Sequence, residues 1–372
     1  MAKSNPFHLN FLLHLCLVKF RLYLPLILLC SCSGGSENLD VAVTDTYKAV
    51  EFHGNAQGTT FSIICNDSLQ VTSDEIEKIL IDFDNALSSW IDSSTVSYIN
   101  RSGGGVISFK DESGYFARCY NLTQEVYALS GGAFDPTVQK LWQAWGFEGD
   151  GDIPDSSVVD SLRSFVGFTP GLHFLFSSVP DSNGTLTIQK ITPGAALGFD
   201  GIAQGLTVDV IAEMLEAKGA KNYYVEIGGE IRVLGLNSDG ELWKIGIDEP
   251  TDNSDAENRT VQKVIELKDK SIATSGSYRK FFIRDGVRYS HTIDPKTGRP
   301  VEHSLLSVSV VSNSCALSDG LATAFMVMGA DSSMQFVNSH PELDVDLYLI
   351  FENEKGRLET FYTKGFRDEV LE

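Results

Sequence analysis

Basic residues are scarce in this chain. Against 50 aspartates and glutamates stand 29 lysines and arginines, a formal net charge of -21 over 372 residues. Such a surface repels polyanions, which excludes nonspecific nucleic-acid binding as the function. A phosphorylated ligand would need a metal ion or a cradle of backbone N–H groups to overcome that field. Cysteine is scarce too, with six in all. Cys65, Cys119 and Cys315 are the ones outside the first 32 residues, an odd number without metal-ligand spacing, which reads as buried thiols rather than a disulfide framework. No repeat, heptad or long low-complexity tract is present, and no clean linker divides the chain. What remains is ordinary for a folded protein: 42% hydrophobic and 21% charged residues, in a length that suits one large domain or two modest ones.

The amino end stands apart. Lys3, Lys19 and Arg21 precede the apolar run Leu22 to Leu29, broken by Pro25 and too short to span a bilayer as a stable helix. Residues 1–31 read as a signal peptide. Leu29-Cys30-Ser31-Cys32 resembles a lipobox, which would make Cys32 the acylated first residue of the mature chain and 32–49 a flexible tether. An ordinary cleaved signal peptide is the alternative.

Along the mature chain, strands are expected on both sides of Gln57-Gly58, and a helix from Ser73 carrying Ile76, Ile79, Leu80, Phe83 and Leu87. Trp90 lies in a polar loop, either as a satellite core residue or as a platform for a planar ring. A second helix runs from Tyr115 to Ser130 and stops at Gly131-Gly132. Gly198, Gly201 and Gly205 lead toward a helix expected from about Leu206 to Lys218; such a turn either cradles phosphate or merely starts the helix. Tyr223 to Leu234 reads as one strand interrupted at Gly228-Gly229. Near the end, Asp294-Pro295 opens a tight turn with Gly298 at positive φ, Leu305 to Val311 alternates as a strand, and Ser318 or Asp319 is expected to cap a helix over Leu321 to Met328. Asp319 and Thr323 share one face of that helix, as a cation-binding pair or as a cap beside a helix Thr.

The glycine-marked turns fall in a fixed order: Gln57-Gly58-Thr59-Thr60-Phe61, Ser130-Gly131-Gly132-Ala133-Phe134-Asp135-Pro136-Thr137-Val138, Trp145-Gly146-Phe147, Gly201-Ile202-Ala203-Gln204-Gly205, Ile227-Gly228-Gly229-Glu230, Thr274-Ser275-Gly276, His291-Thr292-Ile293-Asp294-Pro295-Lys296-Thr297-Gly298 and Asp319-Gly320-Leu321-Ala322-Thr323. From about Val50 to the carboxyl end this series resembles the FAD:protein FMN transferase (ApbE) family. The resemblance implies an α+β unit over 50–372, with two intimate lobes, mixed or antiparallel sheets, flanking helices and an FAD site between them.

It also implies the activity: Mg²⁺-dependent transfer of the FMN half of FAD to a Ser or Thr hydroxyl of another protein, with release of AMP. The resemblance places the metal on the Asp319 and Thr323 side chains and the Gly201 carbonyl. His291 would assist proton removal or hold a phosphate, unless it is a structural turn histidine. Gln57, Trp90, Ala133, Phe134 and Asp135 would meet the flavin, Gly198, Asp200 and Gln204 the nucleotide, and Thr274 and Ser275 a nucleotide-contacting turn. Two departures stand out: Gln57 where the family usually has Met, and Gly198 where it usually has Asp. Asp200, two residues on, would face the same side in an extended segment and could substitute. The resemblance further implies acceptor proteins with an exposed Ser/Thr motif, among them membrane redox-complex subunits, and an extracytoplasmic lipid-anchored location facing the periplasm. Alternatives are an FAD pyrophosphatase giving FMN and AMP, and a non-catalytic flavin-binding surface lipoprotein.

Overall fold

Alternating apolar residues pair eight stretches of the chain into one antiparallel sheet. Its spatial order is Ala49–Ala56, Thr59–Asn66, Tyr223–Ile227, Glu230–Leu234, Ser271–Gly276, Leu305–Ser312, Asp346–Glu352 and Leu358–Tyr362. The computed structural model describes residues 46–147, 151, 153–251, 260–278 and 280–368. The expected signal peptide, Cys32 and all but the end of the 32–49 tether lie outside the described residues. The described residues belong to one compact unit, Thr44–Glu372.

Two of the sheet's hairpins turn through pairs of residues at positive φ, Gln57-Gly58 (52° and 75°) and Gly228-Gly229 (68° and 109°). Two-residue hairpins need that geometry because it matches the twist of the flanking strands. Tyr223 to Leu234 is therefore two strands rather than one interrupted strand. The glycines reverse the chain instead of bulging it.

Period-two alternation decides what covers each face. Ile63, Cys65, Tyr223, Val225 and Ile227 pack on the helix Asp200–Ala217, here the Gly201 helix. Val308, Val310, Leu347 and Leu349 join the cluster of the helix Cys315–Met328, the Asp319 helix. Ile231, Val233, Ile272, Val311 and Ile350 belong to the opposite face, covered by the hairpin of Trp243–Asp248 with Val261–Leu267 and by Phe366. A smaller sheet, in the order Gly105–Lys110, Thr185–Lys190, Phe174–Ser177, contributes Ile107, Ile188 and Phe174 to the same core as the Asp319 helix. That shared core is why no linker divides the chain.

Both central helices begin earlier than their sequences suggest. The Gly201 helix starts at Asp200, so the glycine turn forms its first turns. Gly205 is there for contact: a Cβ would lie 2.5 Å from the Cys315 carbonyl oxygen and 2.8 Å from Asp319 Cβ. The Asp319 helix is capped by Ser314, which accepts from the Leu317 N–H, not by Ser318 or Asp319. Its register is set from the Gly201 helix. Buried Asp209 accepts from Ser314 Oγ (2.7 Å) and from the Cys315 and Ala316 N–H groups (3.0 Å each), and pairs with Arg232 at 2.8 Å. Arg232 reaches on to Glu216 at 3.0 Å. A carboxylate at a helix N-terminus satisfies orphan N–H groups and meets the positive end of the dipole. Cys65, Cys119 and Cys315 are free and buried, as expected.

Candidate active site

Where the amino end of the Gly201 helix meets the Asp319 helix, a cavity of about 880 Å³ opens, lined also by Lys280 and by His291 to Ile293. Its walls draw on residues from Gln57 to Val327, and every candidate ligand-contacting, metal-binding or catalytic residue between Gln57 and Thr323 lines it.

Asp319 lies inside its helix, 5% exposed, with one oxygen accepting from the Gly205 N–H at 3.0 Å. In helical geometry that N–H points toward the Gly201 carbonyl, so carboxylate and carbonyl converge. Thr323 Oγ1 reaches the same carbonyl at 3.4 Å and Ser275 Oγ at 3.4 Å. A Cβ on Gly201 would stand 3.0 Å from Thr323 Oγ1 and would crowd this cluster. Burial pushes the Asp319 carboxyl up to about 7, with the Gly205 N–H offsetting part of the shift. A desolvated carboxylate beside a carbonyl and a hydroxyl is a set of hard oxygen donors short of a positive charge. Among the described residues no three His, Cys, Asp or Glu side chains form a metal cage. A cation here would draw its remaining ligands from water or substrate, the habit of Mg²⁺.

His291 sits across the cavity at the end of the strand Val287–Ser290. Its ring Nδ1 lies 2.9 Å from the Lys280 carbonyl, and its backbone N–H donates to the same oxygen at 3.1 Å. A carbonyl can only accept, so Nδ1 carries the proton and Nε2 keeps a free lone pair. Desolvation, and secondarily the nearby Lys280 charge, lower the imidazole to about 4, against the raising effect of the hydrogen bond. The ring is thus neutral and basic at Nε2 near pH 7.

Asp200 opens the Gly201 helix after Phe199. Its carboxyl is solvent-accessible yet enclosed by the cavity walls, and that desolvation raises its pKa against the opposing Lys280 charge. Gly198 precedes the helix that Asp200 opens, and Phe199 between them (φ -107°, ψ 11°) is not extended, so the two-apart rule of a strand does not put Asp200 in the place of an acid at 198. That place is filled: a Cβ on Gly198 would lie 2.4 Å from Gln139 Oε1. Gln139 lines the cavity in its stead.

The apolar wall is aromatic. Trp90 is 62% exposed and meets Trp142 edge-on at 6.3 Å, so it is a residue of the cavity wall rather than of the core. Phe134 and Ala133 are largely buried and form a floor. Asp135 uses one oxygen to hold the Thr137 N–H (2.8 Å) and hydroxyl, which leaves the other oxygen outside that turn; burial raises it to about 6. Gln57, held at φ 52°, donates through Nε2 to Thr207 Oγ1 at 2.7 Å. The Thr207 hydroxyl itself donates to the Ala203 carbonyl, which fixes the amide and leaves buried Gln57 Oε1 without a protein partner. Thr274 is tied to Ser309 at 2.8 Å on the neighbouring strand, and the Gln204 amide lies close beside Gly228. Sequence reasoning missed Lys280, Gln139, Trp142, Asp84 and Glu230, all of which line the cavity. None stood out by spacing. Glu230 did stand in a quoted motif, which was the available signal.

The ApbE family model matches residues 57–347. The chain is 34% identical over 320 residues to the FAD:protein FMN transferase of Vibrio cholerae, covering 82% of this chain and 89% of the relative. To the Haemophilus influenzae protein of the same name it is 31% identical over 327 residues, 86% and 90% of the two chains. Among solved structures, the flavin transferase ApbE from Vibrio cholerae superposes with a TM-score of 0.71 at 32% identity, over 87% of this chain and 99% of that one. The apo flavinyl transferase ApbE of Pseudomonas stutzeri gives 0.72 at 29% identity, over 87% and 98%.

Proposed function

The chain belongs to the ApbE family, and on that premise we propose that it is an FAD:protein FMN transferase, moving FMN from FAD to a Ser or Thr hydroxyl of an acceptor protein. The observation that carries this reading is the cavity that brings a hard-donor cluster at Gly201, Asp319 and Thr323 together with a neutral histidine whose free nitrogen is Nε2. Trp90 and Phe134 flank space for the isoalloxazine ring, and Gln57 Oε1 and Asp135 offer it acceptors. Gln204, Thr274, Ser275 and Asp200 serve the nucleotide part.

Phosphoryl transfer asks for positioning and charge neutralisation more than for covalent help from the protein. The acceptor hydroxyl gives its proton to His291 Nε2 as its oxygen bonds to the phosphorus on the riboflavin side. The bridging P–O bond breaks, its electron pair leaves with AMP, and a phosphodiester joins flavin to protein. Asp319, Thr323 and the Gly201 carbonyl would hold Mg²⁺, which when bound screens the negative charge of the phosphates. We extend the reading to location: Cys32 is the lipid-bearing residue, and the protein works outside the cytoplasm on membrane redox-complex subunits.

The test is incubation of protein lacking residues 1–32 with FAD, Mg²⁺ and an acceptor carrying an exposed Ser or Thr. Flavin fluorescence that stays with the acceptor through denaturing electrophoresis is expected. FMN and AMP without labelled acceptor would make the protein a pyrophosphatase. Asp319→Ala should abolish transfer and leave the circular dichroism spectrum unchanged; full activity would remove Asp319 from the metal site.

A further inference from the structure

The cavity is lined by five carboxylates, Asp84, Asp135, Asp200, Glu230 and Asp319, in a chain that is already strongly acidic. Among the described residues, one lysine or arginine lines the cavity with them, Lys280, and its charge acts on Asp200. Other cations in this protein are taken up: Arg232 by Asp209 and Glu216, Arg118 by Glu213, Lys190 by three backbone carbonyls. Lys280 is exposed, and no described carboxylate lies within 4.0 Å of its ammonium.

Its backbone is fixed all the same. The Lys280 carbonyl accepts both the ring nitrogen and the backbone N–H of His291, so ammonium and imidazole leave one anchored point. A flexible lysine with a fixed root beside the catalytic base suits a phosphate, for which lysine acts as a mobile point charge.

Building on the FAD reading, we infer that Lys280 is the protein's own counter-charge for the diphosphate bridge of the substrate, holding it beside His291. The alternative is a merely solvated surface lysine. The two part on which half of the substrate feels the loss. Removing a counter-charge weakens every ligand that carries the diphosphate and spares one that lacks it.

The experiment measures, in Mg²⁺-containing buffer, the affinity of the whole protein for FAD and for riboflavin by flavin fluorescence, and for ADP by displacement of FAD. Lys280→Met should weaken FAD and ADP by about tenfold, the scale of a lost charge-assisted contact, and leave riboflavin within about twofold. It should also flatten the salt dependence of ADP binding. Lys280→Arg should restore most of the loss. Unchanged ADP affinity in Lys280→Met, or an equal loss for ADP and riboflavin, would overturn the inference while wild-type FAD binding still supported the flavin reading. Lys280-dependent ADP binding by a wild-type protein that ignores riboflavin would do the reverse: the anion site would stand and the flavin reading would fall.

Discussion

At the scale of single residues, His291 is set up by one carbonyl. The Lys280 oxygen fixes the tautomer, and desolvation keeps the ring neutral. A histidine held at about 4 stays deprotonated across pH 5 to 8, where an ordinary one with a pKa of about 6.5 would be gaining a proton. Histidine-selective NMR of the protein should therefore show the His291 ring as the Nδ1–H tautomer, with no titration until the pH falls toward 4. A midpoint near 6.5 would show a solvated ring. His291→Gln should lower turnover by roughly a hundredfold or more, with little change in KM for FAD, because the residue acts on the proton and not on the ground-state complex. Gly198 makes a second residue-scale case. Gln139 occupies the space beside it, so Gly198→Asp alone should lower the melting temperature, and shortening Gln139 to Ala in the same protein should recover part of the loss. His291 and Gln57 were legible in the sequence through the ordered series of glycine-marked turns that carries the family resemblance. Lys280 and Gln139 were not, since an isolated lysine or glutamine has no spacing to read and its meaning comes from what the fold puts opposite.

At the scale of elements, the site is the contact between two helices, and their register is set by Asp209. That carboxylate ties the first turn of the Asp319 helix to the body of the Gly201 helix, with Arg232 neutralising it. Asp209→Ala leaves the Arg232 charge without its buried partner and three N-terminal groups uncapped. We expect a loss of about 3–5 kcal/mol in urea unfolding, the usual range for breaking a buried pair. Asp209→Asn, which keeps the shape, should lose less. The strands were readable from alternation and the early helix from its apolar spacing. The starts of both central helices were not, and for one reason. Gly201 and Gly205 resemble turn residues in sequence, but here a Cβ on Gly205 would collide with the facing helix and one on Gly201 would crowd it. Propensity counts a glycine against a helix, and close packing overrides it.

At the scale of the whole molecule, the proposed lipid anchor at Cys32 falls outside the unit Thr44–Glu372 that holds the cavity. No helix among the described residues is long and apolar enough to cross a membrane. If Cys32 carries the lipid, Cys32→Ser should move the protein from the membrane to the soluble fraction on cell fractionation and leave transfer in solution unaltered. Membrane retention of the variant would place the anchor elsewhere.

The cavity takes its walls from Gln57, the first residue of a hairpin turn near the beginning, through to Val327 near the end. A chain that leaves a ribosome or an export channel amino end first has most of its length free before it owns any site at all. Until the Asp319 helix emerges there is no donor cluster and no wall opposite Gly201, so a nascent or stalled chain holds an incomplete site. Competence arrives late, once the chain is out through Met328.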